Sequence, residues 1–516
     1  MKELPPGAKR VDKPAKFRYN IIENLCPAFG KIKSLGEYDN MVFSSIEFLF
    51  YFMPATLAIY FLIYFAGKLM HRNLRGVGNM FLTFMSLGFY AFGAPKFFLI
   101  MLFSIFMNWL FGLWVDKVKD NRRRAKQVIA LMAVFNLGLL GVYKYLTFLL
   151  NSFNLWFTIN LPVPKITLPI GISFFTFQAM SYVIDVYRGN GRVQKNFINV
   201  CLYISFFPQL IAGPIVRYQT VADEIMERRE NLDDFIFGVE RFMRGLCKKM
   251  LIANNLGLLV DTAFALKPAE LSVISAWVAA CAYLMQVYYD FSGYSDMAIG
   301  LGRMFGFHFL ENFNFPFICK SVGEFWKRWH ISLGSWFTDY LYIPLGGSRV
   351  KLPRLIFNTL VVWTLTGLWH GAAWTYFLWG LGFGVFLVIE RLTGMGKWMS
   401  KHRIGHFYAM FVVVTITVMI RSDNLGVAWT FYGSMFGLNG AVLWDSLTGV
   451  FLKEYGAFLL AGVIFSLPIP QFLRDKLHVP ASLMKIVGGI ALAALTVAAI
   501  SYVAVGSYNP FIYFNF

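Results

Sequence analysis

The chain has 516 residues, of which 57% are hydrophobic and 18% aromatic while 15% are charged, and its mean hydropathy is +0.56. That balance excludes a disordered chain and an ordinary soluble domain, because apolar stretches of about 20 residues, each able to cross a hydrocarbon core roughly 30 Å thick, recur along it. The formal net charge of +19 does not point to nucleic acid either: the basic residues gather in short loops between apolar runs, as the positive-inside rule requires.

Continuous apolar runs without period-two alternation predict an all-α, polytopic integral membrane protein and not a barrel. Residues 1–40 differ from the rest of the chain, being polar, with Pro5, Pro6 and Pro14, eight Lys/Arg and no apolar signal-peptide core. The first span is expected over Ile46–Ala66 and ends at Lys68, His71, Arg72 and Arg75, placed in the cytoplasm. This orientation would send the basic tail outward against the charge bias. Met41 is therefore an alternative start, with 1–40 an extension or start-site artefact and 41–516 a single membrane domain.

Met80–Gly93 and Lys96–Val115 read as an outward and return pair, closed by Lys117, Lys119 and Arg122 to Arg124. Gln127–Leu150 crosses outward, and Leu168–Val186 returns to Arg188. Pro208 and Pro214 interrupt Asn196–Ile215, so a re-entrant pair fits it as well as a span does. Asn231–Leu258 is amphipathic and basic, expected along the cytoplasmic interface. Leu271–Tyr289 is the next span, and three or four more follow Arg391, among them Phe407–Ile420, Ala457–Leu467 and Ile486–Val505. The five cysteines are scattered with no CxxC, which implies neither a disulfide framework nor a zinc site. No metal site is expected.

From Asp290 to Arg349 the membrane pattern gives way to charges among aromatics and glycines: Asp290, Asp296, Arg303, Glu311, Lys320, Glu324, Lys327, Arg328 and Asp339. Charge at this density cannot face lipid, so it must pair inside the bundle, line a polar cavity or lie at the interface. Glu324 with Lys327 or Arg328 has the spacing of a helical ion pair.

Two histidines stand out. His330 closes Phe325-Trp326-Lys327-Arg328-Trp329-His330, and His370 sits in Leu368-Trp369-His370-Gly371, within the uncharged run Leu355–Ile389. A titratable ring at membrane depth marks a functional site by default, and imidazole suits general-base work near neutral pH. The run's 35 residues would extend about 52 Å as one helix, and basic residues flank both ends. It is therefore expected to be a hairpin turning near Gly367–Gly371. Because two full spans and a turn need about 40 residues, the hairpin is expected to stop short of the outer surface, with His370 on the floor of an outward-facing depression.

Four segments carry a resemblance: Phe206-Phe207-Pro208-Gln209-Leu210-Ile211-Ala212-Gly213-Pro214, Asp290-Phe291-Ser292-Gly293-Tyr294-Ser295-Asp296, Phe325 to His330, and Asp339-Tyr340-Leu341-Tyr342-Ile343-Pro344-Leu345-Gly346-Gly347. With Leu368-Trp369-His370-Gly371 they resemble the membrane-bound O-acyltransferase (MBOAT) family, and within it the bacterial alginate O-acetylating branch. The likeness covers about Met41 to Phe516. It implies a multi-helix bundle with re-entrant segments and a central tunnel, in a bacterial inner membrane, with His370 catalytic and His330 the second active-site histidine. Lys327, Arg328, Asp290 and Gln209 are further substrate-binding candidates, the two cations by their charge, which suits a phosphate-bearing donor entering from the cytoplasm.

No bound cofactor is expected. The co-substrate would be acetyl-CoA or another acyl thioester on the cytoplasmic side. The partners would be the lipid bilayer, an extracytoplasmic acyltransferase and a polysaccharide acceptor such as alginate or a cell-wall glycan. D-alanyl transfer to teichoic acid is the alternative within the fold. A transporter or flippase is the alternative from another class, though the chain lacks the repeated halves such a protein would show.

Overall fold

A computed structural model describes residues 41–510, Ala212 aside. Residues 1–40, and with them the start-site expectation, lie outside the described residues. Among the described residues all regular structure is helical. Seven helical stretches are long and apolar enough to cross a membrane: Glu47–Leu69, Pro95–Val118, Arg122–Phe157, Trp374–Leu392, Ile404–Arg421, Ser446–Phe465 and Ala481–Ala504.

The elements that position the site are α1 (Met53–Leu69), α2 (Phe98–Val118), α3 (Arg122–Leu140), α4 (Leu146–Phe157), α5 (Ile172–Arg188), α6 (Leu232–Cys247), α7 (Asn254–Ala265), α8 (Val273–Met304), α9 (Leu352–His370), α10 (Trp374–Leu392), α11 (Ile404–Arg421) and α12 (Ala481–Ala504). Helices stand where spans were expected, with their edges moved, although those over Met80–Gly93, Leu168–Val186 and Leu271–Tyr289 are not among the seven. α3 and α4 run on through a π turn, Gly141–Tyr145, giving 36 continuous helical residues where 24 were expected. The segment expected to re-enter is broken as its proline predicts, into Phe197–Ser205 and Phe207–Leu210, with Pro208 at the start of the second piece.

Composition sorts the helices into two shells. In α5, Ile172–Val183 is buried throughout although it contains Ser173, Thr176, Gln178 and Ser181, so its polar side chains face neighbouring helices. α8 is similarly enclosed and is 32 residues long. It does not end at Tyr289, where the apolar run ends, because its charges find partners: Asp290 accepts from Lys249 at 2.6 Å, and Asp296 accepts from Arg241 and Lys248 at 2.8 and 2.7 Å. By contrast α12 fully buries only Ala499 and Val503, packs Leu492, Ile500 and Tyr502 partly against the core and presents most of its remaining apolar surface outward, as a lipid-facing helix must.

The amphipathic segment expected at the interface lies lengthwise along α8. A Cβ on Gly245 would sit 2.4 Å from the Gly293 carbonyl oxygen, so only glycine allows this backbone contact. Its cations are engaged within the protein, Arg241 bridging Asp296 and Glu311 and Lys249 joining Asp290. Lys249 also donates to the Pro510 carbonyl at 2.7 Å, and the neighbouring Asn509 exchanges hydrogen bonds with Ser44. The four described cysteines are free.

Candidate active site

His370 is the last residue of α9, and α10 begins at Trp374, so the run is the hairpin its flanking charges predict. The arms are longer than the apolar run. Leu352-Pro353-Arg354 and Glu390-Arg391-Leu392 are also helical, giving 19 residues in each arm. At 1.5 Å per residue each arm is about 28 Å long, close to a hydrocarbon thickness. The expected shortfall, and the depression inferred from it, therefore lose their basis, because the basic flanks contribute a further turn to the helices. Gly367 and Gly380 let the arms touch: a Cβ on Gly367 would lie 2.3 Å from the Tyr376 carbonyl, and one on Gly380 2.4 Å from the Trp363 carbonyl.

Within this tight turn the His370 ring is held from its own helix. Nδ1 lies 2.8 Å from the carbonyl oxygen of Thr366, one turn back. A carbonyl can only accept, so Nδ1 carries the proton, and the neutral ring keeps its lone pair on Nε2. That tautomer is the one a general base requires.

His330 is held differently. It joins two short helices, Val322–Arg328 and Ile331–Phe337, with φ of 46°, a left-handed conformation that costs a non-glycine residue on the order of 1 kcal/mol or more. The strand-like stretch from Asn312 to Asn314 clamps it on both sides, Ile331 donating to the Asn312 carbonyl and Asn314 donating to the Arg328 carbonyl. The Asn312 side chain completes the clamp. Its Oδ1 accepts from the Ser332 backbone N–H at 3.2 Å and from the Ser332 hydroxyl at 2.9 Å, and it lies 3.2 Å from His330 Nδ1. Since that oxygen is fixed as an acceptor, His330 Nδ1 is also the protonated nitrogen. Its Nε2 is buried with no hydrogen-bond partner among the described residues.

The two rings come together as expected, with centroids 6.2 Å apart and nearly perpendicular planes. Both are buried, 1% and 5% exposed. Aromatic walls surround them: Phe291 beside His330, Trp369 between the two, and Trp379 against His370 at 4.9 Å. The indole N–H groups of Trp369 and Trp379 have no acceptor among the described residues. The site thus gathers two imidazole rings and two indole donors in an apolar enclosure, where polar interactions are strong.

The other candidates lie apart in role. Asp290 is committed to Lys249. Arg328 pairs with Glu324 at 3.0 Å, the i,i+4 pair read from spacing, and donates to the Asn314 carbonyl. Lys327, on the same short helix, is exposed. Gln209 is buried, its amide donating to the Tyr203 carbonyl while Oε1 has no partner among the described residues.

Two residues at the centre were not singled out from sequence. Asn312 gave no signal, since its role depends on a fold-level contact. Lys144 gave a plain one: it is the single charged residue between Gln127 and Phe157, subject to the same rule that picked out His370. It is buried, and Nζ donates to the Trp369 carbonyl and, at 3.1 Å, to the Ser173 hydroxyl.

An all-helical bundle with a histidine pair at its centre and lipid-facing helices outside defines a multi-pass membrane enzyme. Residues 173–422 match the family model of the membrane-bound O-acyltransferases, and both histidines fall within the match. The chain is 37% identical to a probable alginate O-acetylase of Azotobacter vinelandii over 515 aligned residues, covering 92% of this chain and all of that one. It is 34% identical to a peptidoglycan O-acetyltransferase of Helicobacter pylori, covering 78% of this chain and 81% of that one. A teichoic acid D-alanyltransferase of Bacillus subtilis is 29% identical over 45% of this chain and 62% of its own length. The chain belongs to the membrane-bound O-acyltransferase family and is an O-acyltransferase.

Proposed function

We propose that the chain moves an acetyl or other short acyl group from a cytoplasmic thioester, with acetyl-CoA as donor, to a hydroxyl destined for exopolysaccharide or cell-wall glycan O-acetylation. The single observation that carries this reading is the buried pair of neutral-tautomer histidines. His370 Nε2 takes the proton of the attacking hydroxyl as its oxygen forms a bond to the thioester carbonyl carbon. The carbon–sulfur bond then breaks, and the leaving thiolate takes that proton back from the imidazolium. Acid–base help of this kind is typically worth ~10²–10⁴-fold.

His330 takes the orienting role and not that of oxyanion donor. Its one N–H in the neutral ring points to Asn312, so Nε2 can receive a hydrogen bond but not give one. The Trp369 and Trp379 indoles are the neutral donors at hand for the developing oxyanion. Delivery is outward, across the inner membrane of a bacterium, with an extracytoplasmic partner acyltransferase completing transfer to a polymer such as alginate. The acetyl reading is preferred over D-alanyl transfer because these acetylating relatives align over 78% to 92% of this chain, and the D-alanylating ones over 45% to 54% at lower identity.

The test is full-length protein in nanodiscs supplied with labelled acetyl-CoA. Acetyl release or transfer is expected in the wild type and should fall ~10²–10⁴-fold in His370→Ala, with an unchanged melting temperature. Unchanged turnover in that variant defeats the mechanism, and movement of label across the bilayer without chemistry favours a transporter.

A further inference from the structure

An α-helix leaves its last four carbonyls without partners inside the helix, and in α9 those carbonyls belong to the turn that carries His370. Gly371 N–H satisfies the Gly367 carbonyl at 3.2 Å. The next two are satisfied from another helix. Tyr145 Oη donates to the Leu368 carbonyl at 2.9 Å, and Lys144 Nζ donates to the Trp369 carbonyl. Adjacent residues of a regular α-helix point about 100° apart, yet these two reach adjacent carbonyls. They lie in the π turn Gly141–Tyr145, and such single-turn bulges re-aim side chains and recur at functional sites.

Lys144 is further tied to Ser173 at 3.1 Å, and its ammonium lies 5.8 Å from the centroid of the Trp369 ring. A buried lysine is a costly way to satisfy one carbonyl. Its position suits it as a fixed tether on the residue beside His370. The Ser173 tether also joins that turn to the enclosed helix α5.

We propose that Lys144 is a positioning residue for the acyl transfer: by clamping the Trp369 carbonyl it fixes the last turn of α9 and thereby the direction of His370 Nε2. The proposal rests on His370 acting as the base. A base displaced by about 1 Å can lose on the order of 10²-fold in rate without loss of substrate binding.

The experiment compares wild type, Lys144→Met, Lys144→Arg, Tyr145→Phe, His370→Ala and the Lys144→Met/His370→Ala double variant, all full-length in nanodiscs with labelled acetyl-CoA. Lys144→Met is expected to lower kcat about 100-fold with KM for acetyl-CoA within about twofold. Lys144→Arg should recover part of that loss. The double variant should be no slower than His370→Ala alone, because a residue acting through His370 has nothing left to position. Wild-type kcat in Lys144→Met, or equal fractional losses in the presence and absence of His370, overturns the proposal. Wild-type turnover in His370→Ala overturns instead the reading beneath it. If Lys144→Met does not fold, Tyr145→Phe decides the matter: it should lower kcat several-fold at constant KM, and an unchanged kcat counts against the clamp.

Discussion

The histidine centre and the charged belt along α8 bury polar groups to a similar degree and treat them in opposite ways. In the belt, each buried charge meets an opposite one: Lys249 with Asp290, and Arg241 and Lys248 with Asp296. At the centre, each ring is supported through Nδ1, on Thr366 in one case and Asn312 in the other, by a neutral acceptor and not by a counter-charge. Pairing makes a charge part of the scaffold, since removing one partner strands the other in a medium that cannot solvate it. An imidazole anchored at Nδ1 is held in place and still reactive. The comparison separates Asp290, whose charge is neutralised within the scaffold, from His370 and His330, whose rings carry the proposed chemistry.

Breaking the belt should give the larger effect on stability. Asp290→Asn leaves the Lys249 ammonium buried without its counter-charge, and destabilisation of about 3–5 kcal/mol is expected. It would be read as a loss of monodisperse protein in size-exclusion chromatography and a lower melting temperature. Replacing both partners together, as Lys249→Met/Asp290→Leu, should restore most of the folded protein. A double variant as unstable as the single one would mean the pair does more than neutralise itself.

At the centre, Asn312→Ala should act mainly on rate. It frees His330 to turn or change tautomer and leaves the Ser332 N–H unsatisfied, at about 1–3 kcal/mol. A kcat loss of about tenfold or more is expected, larger than the change in KM. An Asn312→Ala enzyme with wild-type kcat would separate His330 orientation from turnover and blur the contrast between the regions. The smallest effect is expected at the partly exposed pair Glu324–Arg328. Glu324→Gln should shift stability by no more than about 1 kcal/mol, with KM for acetyl-CoA unchanged. A large rise in KM there would return Arg328 to the donor-binding role first expected of it.

Much of this was legible in the sequence. Hydropathy and charge placed the spans, because lipid makes those two properties decisive. Flanking charges gave the hairpin, and the cost of an intramembrane imidazole singled out His370, which lies buried beside His330. Helix ends and the burial of charge were less legible. The run from Leu355 to Ile389 understated the hairpin arms because Arg354 and Glu390 continue the helices. α8 runs past Asp290 because its partners lie some 40 to 55 positions away in sequence, a contact that no local pattern encodes. Asn312 belongs to the same class. Lys144 does not; its isolation in an apolar stretch was visible, and its purpose became clear only with the two carbonyls that it and Tyr145 cover.

The junction of Lys249, Asp290 and the Pro510 carbonyl also bears on how the molecule is made. Residue 510 is synthesised after every other element described, so Lys249 meets the Pro510 carbonyl only once translation has passed it, as Ser44 meets Asn509. The bundle is in this sense latched from its far end, and insertion into the bilayer must precede closure. A chain interrupted before residue 509 would keep all seven of its candidate spans and still lack the latch.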